Sequence, residues 1–429
     1  MDIEKKANKA KAAALQLAAA TGEVKNKALG EIARALQTNS DAIVAANKID
    51  LDNAQKENLA APLLKRLKFD QDKITEAVDG IDSLIRLDDP VGKTLSAMEL
   101  DQGLELFKVT CPIGVIGIVF ESRPDALIQI SSLCLKSGNA VLMKGGREAA
   151  GTNRILAETI AAASAAAGIP DDWLTLLEAR SDVAEMLKLE RFIDLVIPRG
   201  SNAFVQHIMQ NTNIPVLGHA DGICHVYLDS RADLDMAVNV VVDSKTQYVA
   251  VCNAVETLLV HKDIAEAVLP KLKQALEEKG VEIRGCERTA RLISVKAASQ
   301  ADWDSEYLDL ILSIKVVDSL GEAIDHINTH GSGHTDVIVT ADKARGMRFM
   351  DTVDSANVFL NCSSRFSDGF RFGLGAEVGI STGKIHARGP VGLEGLVIYK
   401  WRLIGNGHIV ADYSGKHAKA FTHRHLQHD

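Results

Sequence analysis

The sequence predicts an α/β fold built on parallel sheets covered on both faces. From about residue 115 onward, short and continuously apolar runs alternate with helical stretches. Continuous rather than alternating apolarity marks strands buried on both faces. The length of 429 residues exceeds what one hydrophobic core usually serves, which predicts two or three domains. No internal repeat, low-complexity linker or Ser/Gly hinge separates them, so the domains should be interleaved along the chain.

Residues 1 to about 90 read as helical. Apolar positions recur at three and four, as in Leu29, Ile32, Ala33 and Leu36, and Ser40-Asp41 is placed to start a further helix. Turn chemistry in Asp88-Asp89-Pro90-Val91-Gly92 closes this region. Residues 104–109 alternate like an exposed strand until Pro112-Ile113-Gly114 breaks them. Strands are then expected at 115–120, 140–143, 174–177, 193–197, 226–228, 257–260, 311–317, 337–339 and 358–360.

Composition narrows the class. Hydrophobic residues make up 46% and charged residues 24%, an ordinary globular balance. The net charge of −9 and the lack of a Lys/Arg block argue against a nucleic-acid partner, which needs a basic surface. The N-terminal stretch is Ala-rich and interrupted by charges, with no secretory pattern and no apolar run long enough to span a membrane. A cytoplasmic protein is the expectation. The six cysteines (111, 134, 224, 252, 286 and 362) include no CxxC pair, so neither a zinc site nor a disulfide scaffold is expected.

Two βα turns stand out. The first runs Lys144-Gly145-Gly146-Arg147-Glu148 and the second Arg199-Gly200-Ser201-Asn202. Helix N-termini offer free N–H groups, and glycine lets a ligand approach the backbone. Either could hold a dinucleotide, although neither is a GxGxxG fingerprint. Cys252 lies before an apolar run, at a loop or helix end where backbone N–H groups lower a thiol pKa. By local sequence alone it reads rather as a small buried hydrophobe flanked by Val251 and Ala254.

Wider context separates those readings. Cys111-Pro112-Ile113-Gly114-Val115-Ile116-Gly117, with Lys136-Ser137-Gly138-Asn139-Ala140 behind it, resembles the aldehyde dehydrogenase superfamily. Four segments resemble its γ-glutamyl phosphate reductase family in particular. They are Phe120-Glu121-Ser122-Arg123-Pro124-Asp125, the run from Gly218 to His225, the run from Cys252 to His261, and the Gly-rich run from Gly369 to Thr382 with Ile385-His386-Ala387-Arg388-Gly389-Pro390 behind it. The resemblance extends essentially from end to end.

It implies an aldehyde-dehydrogenase-like architecture of two Rossmann-type parallel-sheet domains plus a small β oligomerisation flap. The NADPH-binding domain is expected at 1–103 and 119–225 and the catalytic domain at 226–380. The flap and C-terminal segment are expected at 104–118 and 381–429, giving a homo-oligomer. The implied reaction is NADPH-dependent reduction of L-glutamyl 5-phosphate to L-glutamate 5-semialdehyde through a Cys252 thioester, the second step of proline biosynthesis. No span remains for a glutamate kinase, so the acyl phosphate is expected from a separate protein, by transient contact with that kinase.

By the same resemblance, Lys144 and Glu306 fall where the cofactor riboses bind, and Gly200-Ser201 beside Arg199 falls at the pyrophosphate. Arg147 stands near the place of an acidic residue in NAD-preferring relatives and would suit a 2′-phosphate. Hydrolytic relatives carry a glutamate base where His219 stands here, and losing it protects a thioester from water. His219 is a candidate proton donor or a structural residue. Oxyanion donors are expected from the Cys252 N–H and the Asn253 amide. Ser122 and Arg123 are candidates for the substrate, Arg123 for its phosphate or for an ion pair with Glu121 or Asp125. Arg371 and Glu377 are candidates for the glutamyl α-groups or for loop packing. A hydrolytic aldehyde dehydrogenase, a cysteine hydrolase pairing Cys252 with His219 and a non-enzymatic scaffold that retained the fold are the rival readings.

Overall fold

The computed structural model describes residues 2–179, 181–219 and 221–427. Five helices open the chain: Ile3–Leu17, Gly22–Thr38, Ser40–Lys56, Ala61–Leu67 and Gln71–Arg86. Their apolar stripes close on one core, in which Leu29, Ile32 and Leu36 are fully buried. Side chains of Thr21 and Asp70 cap two of the N-termini by accepting from Val24 N–H and Lys73 N–H, satisfying donors that a helix start otherwise leaves open.

That core backs a four-stranded parallel sheet in the order Leu174–Leu177, Ala140–Lys144, Val115–Phe120, Leu195–Arg199. The chain runs outward from Val115–Phe120 in one direction and then returns to its other side. The order therefore reverses between Val115–Phe120 and Leu195–Arg199. Outside the carboxyl ends of such a pair lies the crevice where open α/β sheets bind ligands.

The second sheet has seven parallel strands: Lys296–Ala297, Glu282–Gly285, Ile311–Val317, Val255–His261, Cys224–Leu228, Thr335–Val339 and Asn357–Leu360. Its two-residue period sorts side chains onto two cores. Val226, Leu228, Leu258, Val260, Val337 and Val339 pack on one face against helices Leu234–Thr246 and Lys262–Glu277. Tyr227, Leu259, Val317 and Ile338 pack on the other against helices Leu320–His330 and Lys343–Thr352. No helix among the described residues is long and apolar enough to cross a membrane.

A four-stranded antiparallel sheet stands apart from both: Val397–Ile404, Leu104–Pro112, Thr94–Asp101 and Arg424–His425. Strand Val397–Ile404 forms one edge, and seven of its eight residues are exposed. Three expected boundaries shift as a result. Thr94–Asp101, placed with the cofactor domain, pairs into this flap. Val115–Phe120, partly assigned to the flap, is instead an inner strand of the four-stranded sheet, because all six of its residues are buried there. The segment after 380 does not go straight to the flap. Val391, Leu393 and Leu396 join the first core, and Gly379–Ser381 pairs with Gly389–Val391.

Candidate active site

The site is assembled by strand register. Cys224–Leu228 lies between Val255–His261 and Thr335–Val339, with Cys224 opposite Val255 and His225 opposite Asp336. The residues just upstream of these three strands therefore meet at one edge of the sheet. Cys252, His219 and His334 come together there, with a ligand atom from each within 4.8 Å of the others. The rings of His219 and His334 meet edge to face, 4.8 Å between centroids.

Backbone contacts hold the cysteine in place. Gly222 lies so close that a Cβ there would fall inside contact distance of the Cys252 carbonyl oxygen and Cα. The Cys224 thiol donates to the same carbonyl at 3.1 Å. On the other side, Ser364 Oγ donates to the Asn253 carbonyl at 2.7 Å. Burial pushes the Cys252 thiol up to about 12, with Glu306 and Glu377 adding to the rise and Arg199 opposing it. At neutral pH the resting side chain is a thiol. Burial also lowers the pKa of both imidazoles, so His219 and His334 stand neutral beside it.

A buried ion pair brackets the cysteine loop. Lys245 Nζ, at the end of helix Leu234–Thr246, lies 2.6 Å from Glu256 at the start of strand Val255–His261, and both side chains are fully buried. Burial drives the Lys245 pKa down and the Glu256 pKa up, against their mutual attraction. The second Glu256 oxygen accepts from Leu308 N–H at 3.3 Å, which ties in the loop carrying Glu306. Glu306 in turn accepts from Asn202 Nδ2 at 2.5 Å, so the second βα turn is linked by carboxylates to the cysteine loop.

The two candidate dinucleotide turns are not equivalent. At the first, Asp50 accepts from Gly151 N–H at 3.2 Å and from Thr152 N–H at 2.7 Å. An internal carboxylate thus fills the anion position of helix Ala150–Ala166. Helix Asn202–Gln210, at the second turn, has no side-chain cap. Glu121 accepts from Ser201 N–H there at 3.3 Å, while Asp221 and Glu306 accept from the Asn202 side chain, at 2.8 and 2.5 Å, and not from the helix N–H groups. The turn also sits at the reversal of strand order, the better place for a pyrophosphate.

Comparison with known proteins agrees with this architecture. The aldehyde dehydrogenase family model matches residues 1–309. The γ-glutamyl phosphate reductase of Pelotomaculum thermopropionicum is 64% identical over the whole of this chain and 99% of its own length. That of Acetivibrio thermocellus is 63% identical over 99% of each chain. The crystal structure of the Thermotoga maritima γ-glutamyl phosphate reductase superposes with a TM-score of 0.93 at 40% identity, covering 94% of this chain and 99% of that one. The chain belongs to the γ-glutamyl phosphate reductases of the aldehyde dehydrogenase family. It is an oxidoreductase. An acetylating aldehyde dehydrogenase from Geobacillus thermoglucosidasius, 18% identical with a TM-score of 0.63 over 95% of this chain and 99% of that one, shares the fold.

Against the residues the family resemblance singles out, the structure divides them. Cys252, His219, Glu306 and Glu377 share one neighbourhood. Arg199, expected with the cofactor, lies where its charge is felt by Cys252, Arg123 and Glu377, with Gly379 packed against its guanidinium. Asn253 is buried and its amide nitrogen donates to Ser367 O at 2.7 Å, which commits that donor to holding the loop. Ser122 gives its N–H to Glu148 at 2.7 Å and its hydroxyl to the same carboxylate. Arg123 pairs with Asp125 at 2.9 Å near the surface. Arg371 donates to Arg365 O at 2.7 Å, and Glu377 accepts from Gly369 N–H at 2.8 Å, closing the Gly-rich loop on itself. Lys144 donates to Gly145 O at 2.5 Å, and Arg147 is exposed with Glu57 at 2.8 Å. Ala220, within the Gly218–His225 motif, lies outside the described residues.

Sequence reasoning missed His334, Arg365 and the Lys245–Glu256 pair. His334 lies 82 residues from Cys252, and only strand order joins them. Gly222→Ala should displace the cysteine while leaving the sheets intact. The expected result is a fall in kcat of roughly a hundredfold, the scale for a misplacement of about 1 Å, with an unchanged circular dichroism spectrum.

Proposed function

We propose that the chain reduces L-glutamyl 5-phosphate to L-glutamate 5-semialdehyde and phosphate with NADPH, through a thioester on Cys252, as the second step of proline biosynthesis. The observation that carries the reading is the cluster of one thiol and two neutral imidazoles, with no carboxylate in it among the described residues. An acyl phosphate has a good leaving group, so a thiol needs only a nearby acceptor for its proton as the S–C bond forms. His219 and His334 supply that acceptor, and the same proton returns to sulfur when the thioester is finally released. His219 hydrogen-bonds through Nδ1 to Ile380 O at 3.0 Å. That fixes its tautomer and leaves Nε2 as the basic atom.

Arg123 and Arg199 are the cations assigned to the departing phosphate, since guanidinium geometry matches it. The lack of a carboxylate within that cluster disfavours the hydrolytic aldehyde dehydrogenase reading, and a cysteine hydrolase would leave Lys144, Glu306 and the turn at Gly200-Ser201 without a purpose. For NADPH, the residues present fit. The uncapped helix Asn202–Gln210 and Gly200-Ser201 would hold the pyrophosphate, Lys144 and Glu306 the riboses, and the exposed Arg147 the 2′-phosphate. When bound, the nicotinamide supplies the hydride that carries the thioester to the aldehyde level.

In this reading the antiparallel flap joins copies of the chain into a cytoplasmic homo-oligomer. On strand Val397–Ile404, Tyr399, Trp401, Leu403 and Ile404 are exposed by 44–58%, a concentration of apolar surface that a single chain leaves in water.

Three outcomes are expected. Cys252→Ala should abolish phosphate-dependent reduction of NADP⁺ by the semialdehyde in the reverse direction, and wild-type activity would sink the thioester mechanism. Arg147→Glu should lower the ratio of NADPH to NADH turnover by roughly tenfold or more, since a carboxylate repels the 2′-phosphate. An unchanged ratio would refute its role. Trp401→Asp with Leu403→Asp should lower the mass measured by size exclusion with light scattering, and a wild-type chain that already runs as a monomer would remove the flap's assigned role.

A further inference from the structure

The atoms that crowd the nucleophile also make a ligand set. A thiolate and two neutral imidazoles are what a borderline-soft divalent transition metal prefers. Tetrahedral zinc places such donors roughly 3.5 Å apart, from Zn–S of about 2.3 Å and Zn–N of about 2.0 Å. Here one atom from each of Cys252, His219 and His334 lies within 4.8 Å of the others. Small side-chain rotations cover the difference.

Two independent features point to a ligand at this place. His334 is fully buried, and its Nε2 has no hydrogen-bond partner among the described residues. Its Nδ1 lies 2.8 Å from Thr335 Oγ1, which holds the ring in place. An orphaned buried ring nitrogen is costly unless something fills the space it faces. His219 is held in the same manner, with Nδ1 on the Ile380 carbonyl. A carbonyl only accepts, so Nδ1 carries the proton and Nε2 the lone pair. Metal-binding histidines characteristically show this arrangement of one nitrogen fixed by a backbone acceptor and the other presented. The charges around the cluster are mixed. Glu306 and Glu377 favour a cation there, while Arg199 and Arg365 oppose it.

We propose that Cys252, His219 and His334 form a three-ligand site for a divalent transition ion of the zinc class, and that filling it blocks the enzyme. Binding replaces the S–H bond with an S–metal bond and releases one proton per ion to solvent. Water takes the open fourth position. The proposed mechanism uses no metal, so the site acts as a brake set by free metal concentration. Coordination stands apart from the catalytic cycle. The loss of turnover rests on the reading of Cys252 as the nucleophile.

The test uses the full chain, stripped with a chelator and titrated with Co²⁺ alone, then with Zn²⁺ in competition. Co²⁺ should bind one per chain and produce a thiolate-to-cobalt charge-transfer band together with intense visible bands of four-coordinate geometry. Zn²⁺ should displace it, stop turnover, shield Cys252 from iodoacetamide and be reversed by chelator. Cys252→Ser should remove the charge-transfer band, and His334→Ala should weaken Co²⁺ binding by roughly tenfold or more. Cys286→Ser, remote from the site, should change nothing. A charge-transfer band that survives in Cys252→Ser, or no stoichiometric binding by the wild type, overturns the site. Stoichiometric binding lost in Cys252→Ser, with turnover untouched in the wild type, would leave the site standing and overturn Cys252 as the nucleophile.

Discussion

The molecule depends on one constraint, the parallel pairing of Cys224–Leu228 with Val255–His261 on one side and Thr335–Val339 on the other. Each of these strands is fully buried, so the two-residue period leaves no freedom of register. A slip by one residue would exchange the Val226/Leu228 face for the Tyr227 face and misfit side-chain volumes in both cores at once. Because register cannot drift, neither can the loops that enter these strands. The thiol, the two imidazoles and Gly222 inherit their positions from hydrophobic packing several residues away.

The other halves of the site are attached to that frame by fewer, polar links. The four-stranded sheet contributes Arg199 and the open turn at Gly200-Ser201. Asn202 joins that turn to Glu306. Glu256 joins the Glu306 loop to the cysteine loop through Leu308 N–H. The link from the Gly200-Ser201 turn to the Cys252 loop is thus a short chain of carboxylates, each accepting from named donors. Burial raises the pKa of both Glu256 and Glu306, and in so dry a setting hydrogen bonds are strong and unmet groups are costly.

Much of the fold was legible because buried parallel strands announce themselves as apolar runs. Residues 115–120, 174–177 and 311–317 were read with the limits the structure shows. Thr94–Asp101 was not, since its residues are mostly half-exposed and show no clean alternation. Glu282–Gly285 was missed for a similar reason: it is four residues long and carries two charges. For the site, the resemblance led to Cys252, His219 and Glu306, which the structure brings together. His334 stayed hidden because no local pattern marks it, and its place follows from which strands are neighbours. Asp50 was equally invisible, although its carboxylate takes the helix N–H groups at one of the two similar turns.

The Lys245–Glu256 pair also has a consequence for how this sequence can change. With both side chains out of water, replacing either alone strands the other as an unpaired buried charge, at about 3–5 kcal/mol. Replacing both with apolar residues of matching volume is far less damaging to stability, but it surrenders the Leu308 contact. Single-step substitution at either position is therefore closed, and the two should be inherited as a unit. Residues 245 and 256 would then vary together across descendants of this chain, or not at all.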